Sequence, residues 1–301
     1  MILGIDEVGR GSWAGPLVVG AVVLGGAQID GLTDSKKLTK KRREELDVII
    51  RETALGIGLG WVPASEIDEI GLSAALRLAT IRAVEQIKAP YHEIIIDGTI
   101  NFLSETSKGK YVKTLPKADL LIPSVSAASI VAKVARDNYM KEQGNDYREY
   151  GFDQHVGYGT KKHSDAIEKF GVTLLHRLSF APLKKYAPKN TKELGNFAED
   201  VATKYLKKLG HKILARNWKT KTCEIDIVSE KSGTIFFTEV KHRNNDQQGG
   251  GLSAITTKKQ DQMKYAANLF VSKNNLYDND MRLTVISTAG KPPEVIEYIE
   301  L

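Results

Sequence analysis

Between its two long apolar-patterned regions the chain carries the polar, proline-containing run Lys184-Lys185-Tyr186-Ala187-Pro188-Lys189-Asn190. Such a run reads as a linker and divides the 301 residues into two domains of ordinary size. The expected boundaries are 1–188, a linker at 189–192, and 193–301. No apolar run approaches the length of a membrane span, and the first residues lead directly into a strand-like segment, so neither a membrane segment nor a signal peptide is expected. The single cysteine, Cys223, excludes an internal disulfide framework and suits a reducing cytoplasm. A net charge of +6 favours a polyanionic partner without identifying it.

Periodicity gives a coarse structure. Ile2 to Ile5, Leu17 to Leu24 and Glu93 to Asp97 read as strands, the last buried and ending in a turn at Gly98. Helical patterns fill Lys40 to Thr53, Leu72 to Lys88 and Ala127 to Tyr139. After the linker, Leu194, Phe197, Ala198, Val201, Ala202, Tyr205, Leu206 and Leu209 form a helical stripe, with Asn190 and Gly210 as caps. Strands follow at Glu224 to Val228 and Thr234 to Val240, then a loop around Gly249-Gly250-Gly251 and a helix from Lys258 to Val271. Mixed strands and helices in both parts predict α/β layering.

Each part carries its own acidic set. In the first, Asp6 closes an apolar strand and Glu7 follows it, with the glycine-flanked Arg10 just beyond. Neighbouring strand residues point to opposite faces, so Asp6 and Glu7 can converge only if the chain turns there, which Gly9 and Gly11 would ease. Asp97 ends another apolar strand, and Asp119 precedes a helical segment. Carboxylates on separated segments suit Mg²⁺ or Mn²⁺, and two such ions about 3.5–4 Å apart would activate a water and stabilise a leaving oxygen. Taken singly, Asp97-Gly98 is more often a turn than a ligand. Asp137 lies one helical turn from Lys133 and Lys141, which points to ion pairing. Lys36 and Lys37 serve either as phosphate contacts or as a solvated helix start.

Taken in order, Gly4 to Gly11, Asp34-Ser35-Lys36-Lys37-Leu38, Ile96-Asp97-Gly98, Ala127 to Lys133, Gly157-Tyr158-Gly159-Thr160 and His176 to Pro182 resemble the ribonuclease HII family over residues 1–183. The resemblance implies a ribonuclease-H-like mixed sheet with flanking helices, and Asp6, Glu7, Asp97 and Asp119 as catalytic and metal-site residues. It also implies a substrate: an RNA–DNA hybrid, or duplex DNA containing ribonucleotides. Cleavage would fall 5′ of a ribonucleotide and leave a 3′-hydroxyl and a 5′-phosphate. The loop Gly9-Arg10-Gly11 would sense the 2′-hydroxyl, the one group that separates RNA from DNA at a nucleotide, and Tyr158 would pack on the next sugar. Two departures stand out. Ser12-Trp13 replaces the usual proline and small apolar residue, and Val156 stands where lysine is common.

In the second part Glu224 and Asp226 share one strand face, as do Glu239 and Lys241. Two carboxylates and a lysine on adjacent strands can hold a metal ion and orient water against phosphate, although a Glu-x-Lys on an open strand is usually mere solvation. Glu199 borders the helical stripe, within reach of the same site. With Thr257 as N-cap, Gln260 falls at the third helical position and would complete a capping box, a duty that competes with a site role.

The series Ala198-Glu199-Asp200, Ile213 to Trp218, Glu224-Ile225-Asp226, Phe236 to Lys241 and Thr257 to Gln260 resembles the YraN family over residues 193–299. That family looks like the PD-(D/E)XK nucleases and is close in pattern to archaeal Holliday-junction resolvases. The resemblance implies a smaller restriction-endonuclease-like α/β domain, with Glu199, Asp226, Glu239 and Lys241 at its site, Asp226 and Glu239 as metal ligands, and Gln260 auxiliary on the substrate side. Cys223 and Ala198 each replace a usual glycine. Two readings follow. The second domain is either a structure-directed nuclease acting on branched or single-stranded DNA, or a non-catalytic DNA tether for the ribonuclease.

Overall fold

The computed structural model describes residues 1–188, 191–221, 223–243, 256–290 and 293–301. The expected Asn190 cap and the Gly249-Gly250-Gly251 loop lie outside these residues. The chain divides into two compact units, Met1–Ala187 and Pro188–Leu301.

The first unit is built on a five-stranded mixed sheet in the order β3-β2-β1-β4-β5. Its strands are β1 (Ile2–Val8), β2 (Leu17–Val23), β3 (Gly56–Val62), β4 (Glu93–Asp97) and β5 (Val112–Leu115). β1 runs antiparallel to β2 and parallel to β4. Alternation sorts the strand side chains to two faces. Leu3, Ile5, Val19 and Ala21 meet Ala75, Ala79 and Ala83 of helix α3 (Leu72–Glu85), which follows α1 (Lys40–Thr53) and α2 (Ala64–Ile70). On the other face Val22 meets Leu46 and Ile50 of α1, together with Ala127, Ala128 and Ile130 of α5 (Pro123–Asp146). Gly20 lets α5 lie directly on β2, because a β-carbon there would stand 2.3 Å from the Ala128 carbonyl oxygen. The short α4 (Ala118–Leu121) precedes α5, and α6 (Phe152–His155) and α7 (Lys161–Phe170) follow it.

The second unit is also a five-stranded sheet, ordered β10-β9-β8-β7-β6. It comprises β6 (Lys212–Lys219), β7 (Glu224–Lys231), β8 (Thr234–Arg243), β9 (Asp280–Ala289) and β10 (Glu294–Glu300), with β8 and β9 parallel and the other neighbours antiparallel. Helix α8 (Thr191–Lys208) packs Ala202 and Leu206 against Ile227 and Ile286. Helix α9 (Thr257–Asn274) packs Met263, Ala266 and Phe270 against Val228, Ile235 and Phe237. α8 ends as its Gly210 suggests: Gly210 is left-handed, its N–H reaches the Lys207 carbonyl, and the His211 N–H reaches that of Leu206. The apolar stripe stops one turn short, since Leu209 lies past the helix end and is exposed. At α9 the cap is Thr256, whose side chain accepts from the Lys259 N–H. The expected box between Thr257 and Gln260 therefore does not form: the cap lies one residue earlier, and the third helical position is held by Lys259, which has no acceptor to complete a box. Among the described residues no helix is long and apolar enough to cross a membrane.

Candidate active site

Asp6 and Glu7 both lie inside β1, because pairing with β2 continues as far as Val8 opposite Val18. The expected turn between them is absent, and the chain reverses only after the strand, where Gly9 takes a φ of +85°. The two acids still share a site. Asp6 accepts the N–H of the following residue, Glu7, at 2.8 Å, and Ser129 of α5 works against the effect of burial on its carboxyl. The Ser129 hydroxyl in turn meets that of Ser35 at 2.9 Å.

Strand register brings in the third acid. Ile5 stands opposite Ile96, which sets Asp97, the last residue of β4, beside Asp6 on the neighbouring parallel strand. Asp97 accepts the Ala118 N–H at 2.7 Å and thereby ties β4 to the start of α4, which carries Asp119. Electrostatics couples the four. Burial pushes the Asp6 carboxyl up to about 7, with the charges of Glu7 and Asp97 adding to the effect. Glu7 is raised by burial and by Asp97 against the opposing Arg10. Asp119 is raised by burial, then by Asp97 and Asp34. Asp97 is thus the charge that acts on all three others. Among the described residues no three His, Cys, Asp or Glu side chains are arranged to hold one metal ion as placed.

A cleft of about 490 Å³ opens over this cluster, lined by Asp6, Glu7, Gly9, Arg10, Gly11, Lys36, Ser129, Lys133 and Tyr158 among others. Arg10 stands 3.5 Å from Glu7. Asp97, Asp119 and Lys37 lie outside the lining. Lys133 is held by Asp137 at 2.8 Å, so the expected ion pair also fixes a cleft lysine.

Two fully buried arginines hold the cleft's backbone, and neither has a role in the sequence reading. Arg136 donates to the carbonyls of Pro16 (2.8 Å), Val156 (2.9 Å) and Ala14 (3.0 Å). Arg177 donates to Gly15 from two nitrogens and to Arg10 at 3.1 Å. All of these bonds except that to Val156 join segments more than a hundred residues apart, so no local pattern could have pointed to them. The departure at Trp13 has a structural counterpart: its N–H and carbonyl bond to the Gly157 carbonyl and the Arg177 N–H, tying the arginine loop to the Tyr158 segment.

In the second unit the register Ile227 opposite Thr238 brings Asp226 beside Glu239. The Asp226 carboxylate accepts the Val240 N–H at 2.6 Å. Burial, then Glu239 and Glu199, push its carboxyl up to about 7. Glu239 is buried between two lysines, Lys241 at 2.6 Å and Lys259 at 2.9 Å. Glu199 is raised by burial against the opposing Arg216, which stands 3.6 Å away. Glu224 turns outward, half exposed and paired with Lys219 at 3.4 Å. Gln260 is half-buried on the first turn of α9. Lys259, its neighbour, is the residue that the sequence reading missed.

The ribonuclease HII family model matches residues 3–183, and that of the uncharacterised protein family UPF0102, the YraN proteins, matches residues 198–288. The ribonuclease HII of Bacillus cytotoxicus is 46% identical over 186 residues, covering 61% of this chain and 69% of that protein. That of Geobacillus sp. is 43% identical over 185 residues, covering 61% of this chain and 65% of the relative. Among solved structures, ribonuclease H2 from Pyrococcus horikoshii OT3 superposes with a TM-score of 0.53 at 28% identity, covering 62% of this chain and 96% of that one. Ribonuclease HII from Archaeoglobus fulgidus, solved in complex with PCNA, gives 0.52 at 26% identity, covering 64% of this chain and 100% of that one. The sheet order, the clustered acids and a family match over more than half of the sequence agree, and the chain belongs to the ribonuclease HII family of type 2 ribonucleases.

Proposed function

We propose that the first unit hydrolyses the RNA strand of RNA–DNA hybrids and cuts duplex DNA on the 5′ side of embedded ribonucleotides, leaving a 3′-hydroxyl and a 5′-phosphate. The observation that carries this reading is the joint lining of one cleft by Asp6, Glu7, the Gly9-Arg10-Gly11 loop and Tyr158. The donor set fits hard divalent cations: burial, with the charges of Glu7 and Asp97 adding to it, raises Asp6 to about 7, and a cation there would offset both the lost solvation and the repulsion. Asp6, Glu7, Asp97 and Asp119 would hold Mg²⁺ or Mn²⁺, two ions in all, which when bound supply activation of water and stabilisation of the leaving oxygen.

The chain's own residues then divide the remaining work. The Gly9–Gly11 backbone approaches the 2′-hydroxyl, with its shape held by the Arg177 bond to the Arg10 carbonyl. Tyr158, partly exposed on the cleft wall, packs on the neighbouring sugar and disfavours a second ribose there. Lys36 and Lys133 supply positive charge for the phosphate, with Lys37 beside them. The test is cleavage at a single embedded ribonucleotide by the full chain carrying Asp6→Asn and Asp97→Asn. Retained cleavage would sink the assignment.

For the second unit we infer a structure-directed DNA nuclease, supported by the gathering of Glu199, Asp226, Glu239 and Lys241 about one buried carboxylate pair. Asp226 and Glu239 would be its metal ligands, and Gln260 would stand at the substrate edge. In a chain whose first site is silenced by Asp6→Asn and Asp97→Asn, nicking of branched or single-stranded DNA should vanish on Glu239→Ala or Lys241→Ala. Binding of such DNA without any nicking would favour the tether instead.

A further inference from the structure

Three buried histidines outside the acidic cluster converge on the segment that carries Tyr158. His163 and His176 are fully buried and His155 nearly so. Their hydrogen bonds have only one consistent direction. The Thr173 N–H, a pure donor, points at His176 Nδ1 from 2.8 Å, so that nitrogen carries no proton and His176 is the Nε2–H tautomer. His176 Nε2 stands 3.1 Å from His163 Nε2 and must therefore donate to it. His163 then holds its proton on Nδ1, which donates to the Tyr158 carbonyl, a pure acceptor, at 2.9 Å. His155 completes the arrangement. Its Nδ1 accepts the Gly157 N–H at 3.2 Å, its Nε2–H donates to the Tyr150 carbonyl at 2.7 Å, and its own carbonyl takes the Tyr158 N–H at 2.9 Å. The rings of His155 and His163 stack with centroids 4.5 Å apart.

The far end of this relay is anchored to the other half of the cleft. His176 forms a β-bridge with Ala14, and its neighbour Leu175 accepts the Gly15 N–H at 2.7 Å, just after the Gly9–Gly11 loop. The imidazole pair therefore spans from the strand partner of the arginine loop to the backbone of the tyrosine. A charged ring has no place in it, since protonating His163 would set two N–H groups against each other at the Nε2 pair, and protonating His176 would set its Nδ1–H against the Thr173 N–H. Burial accordingly pushes His163 down to about 4.

We propose that His163 and His176, locked as neutral Nδ1–H and Nε2–H tautomers, are positioning residues that set Tyr158 relative to the Gly9–Gly11 loop and thereby tune the preference between a lone ribonucleotide and a continuous RNA strand. The proposal rests on the reading of Tyr158 given above. Two measurements on the full chain test it. In the first, long-range ¹H–¹⁵N correlation spectra at neutral pH should show His163 as the Nδ1–H tautomer and His155 and His176 as Nε2–H. A His163 proton on Nε2 overturns the relay, whatever the variants do.

In the second, kcat/KM is compared on DNA with a single ribonucleotide and on a continuous hybrid. His163→Leu should shift that ratio about tenfold, in the direction taken by Tyr158→Ala, as expected for a misplaced contact. His163→Asn, whose amide can replace the Nδ1–H donor, should restore the ratio to near the parent's. If Tyr158→Ala moves the ratio and a folded His163→Leu does not, the positioning role is refuted. If Tyr158→Ala itself leaves the ratio unchanged, the sugar-packing reading fails first and takes this inference with it.

Discussion

The indole of Trp13 packs so closely on the backbone of Gly159 that a β-carbon at 159 would lie 2.2 Å from its ring. Trp13 is one of the two departures from the family pattern, and Gly159 follows Tyr158 directly. Gly159→Ala should therefore displace the indole and cost roughly 1–3 kcal/mol, as overpacking does. Trp13→Ala alone should also destabilise, by opening a cavity. The double variant should be less destabilised than the sum of the two by at least about 1 kcal/mol, read from urea denaturation in a double-mutant cycle. Simple additivity would mean that the two residues do not compete for the same space.

Val156, the second departure, sits with φ 44° and ψ 37°, a left-handed conformation that crowds a β-branched side chain. Its carbonyl is fixed there by the Arg136 guanidinium. Val156→Asn should relieve this conformation and raise the unfolding free energy by about 1 kcal/mol, less the apolar packing it gives up. Val156→Thr keeps the branch and should bring no gain. If the asparagine variant is less stable than the threonine one, packing rather than backbone conformation governs the position.

Much of this molecule was legible before its coordinates, and the rest was hidden for identifiable reasons. The uninterrupted Ile94-Ile95-Ile96 run bounded by Gly98 gave β4 its true limits, and α1 runs from Lys40 to Thr53 as its periodicity predicts. β3 escaped notice because its sequence alternates glycine with apolar residues; Gly58 and Gly60 abut the Ala83 and Ala79 carbonyls of α3, so the pattern reflects a helix lying on the strand. α5 begins at Pro123, four residues before the apolar repeat that signalled it, because proline at the first helical position gives a start without periodicity. Asp6 and Glu7 line one cleft as their adjacency suggests, yet no turn separates them: both lie inside β1, whose pairing continues to Val8. Arg136, Arg177 and the histidine relay depend on contacts across the whole unit, which no window of sequence contains.

Asp6 also makes stability depend on pH. Its carboxyl rises from 3.8 to about 7 on folding, chiefly through burial. The folded chain therefore binds this proton more tightly than the unfolded chain does. The resulting stabilisation is fully present below the unfolded value and is lost as pH rises through about 7. With divalent ions chelated, Asp6→Asn should be more stable than the parent at pH 8, by on the order of 3 kcal/mol, and the difference should close towards pH 4. Added Mg²⁺ should raise the melting temperature of the parent more than that of the variant. A pH-independent difference between the two would show that Asp6 does not carry the shift.

The cap of α9 decides which side chain serves the second site. With Thr256 capping, Lys259 rather than Gln260 occupies the third helical position, and its ammonium reaches Glu239 at 2.9 Å. Glu239 is almost fully buried and faces Lys241 on its other oxygen, while Asp226 beside it is pushed up to about 7. Removing one of two cations from a buried carboxylate leaves negative charge uncompensated, so Lys259→Met should destabilise the second unit by roughly 2–4 kcal/mol, somewhat below the full cost for a completely buried pair because Lys259 is a quarter exposed. The same loss should raise the Asp226 carboxyl further, visible in side-chain carbon chemical shifts as a titration displaced to higher pH. Adding Glu239→Gln should recover most of the lost stability, because the neutral amide no longer needs a second lysine. Gln260→Ala should change stability by less than about 0.5 kcal/mol, as a polar residue at the helix edge. If Gln260→Ala proves the costlier of the two substitutions, the helix starts one residue later and the lysine clamp around Glu239 is wrong.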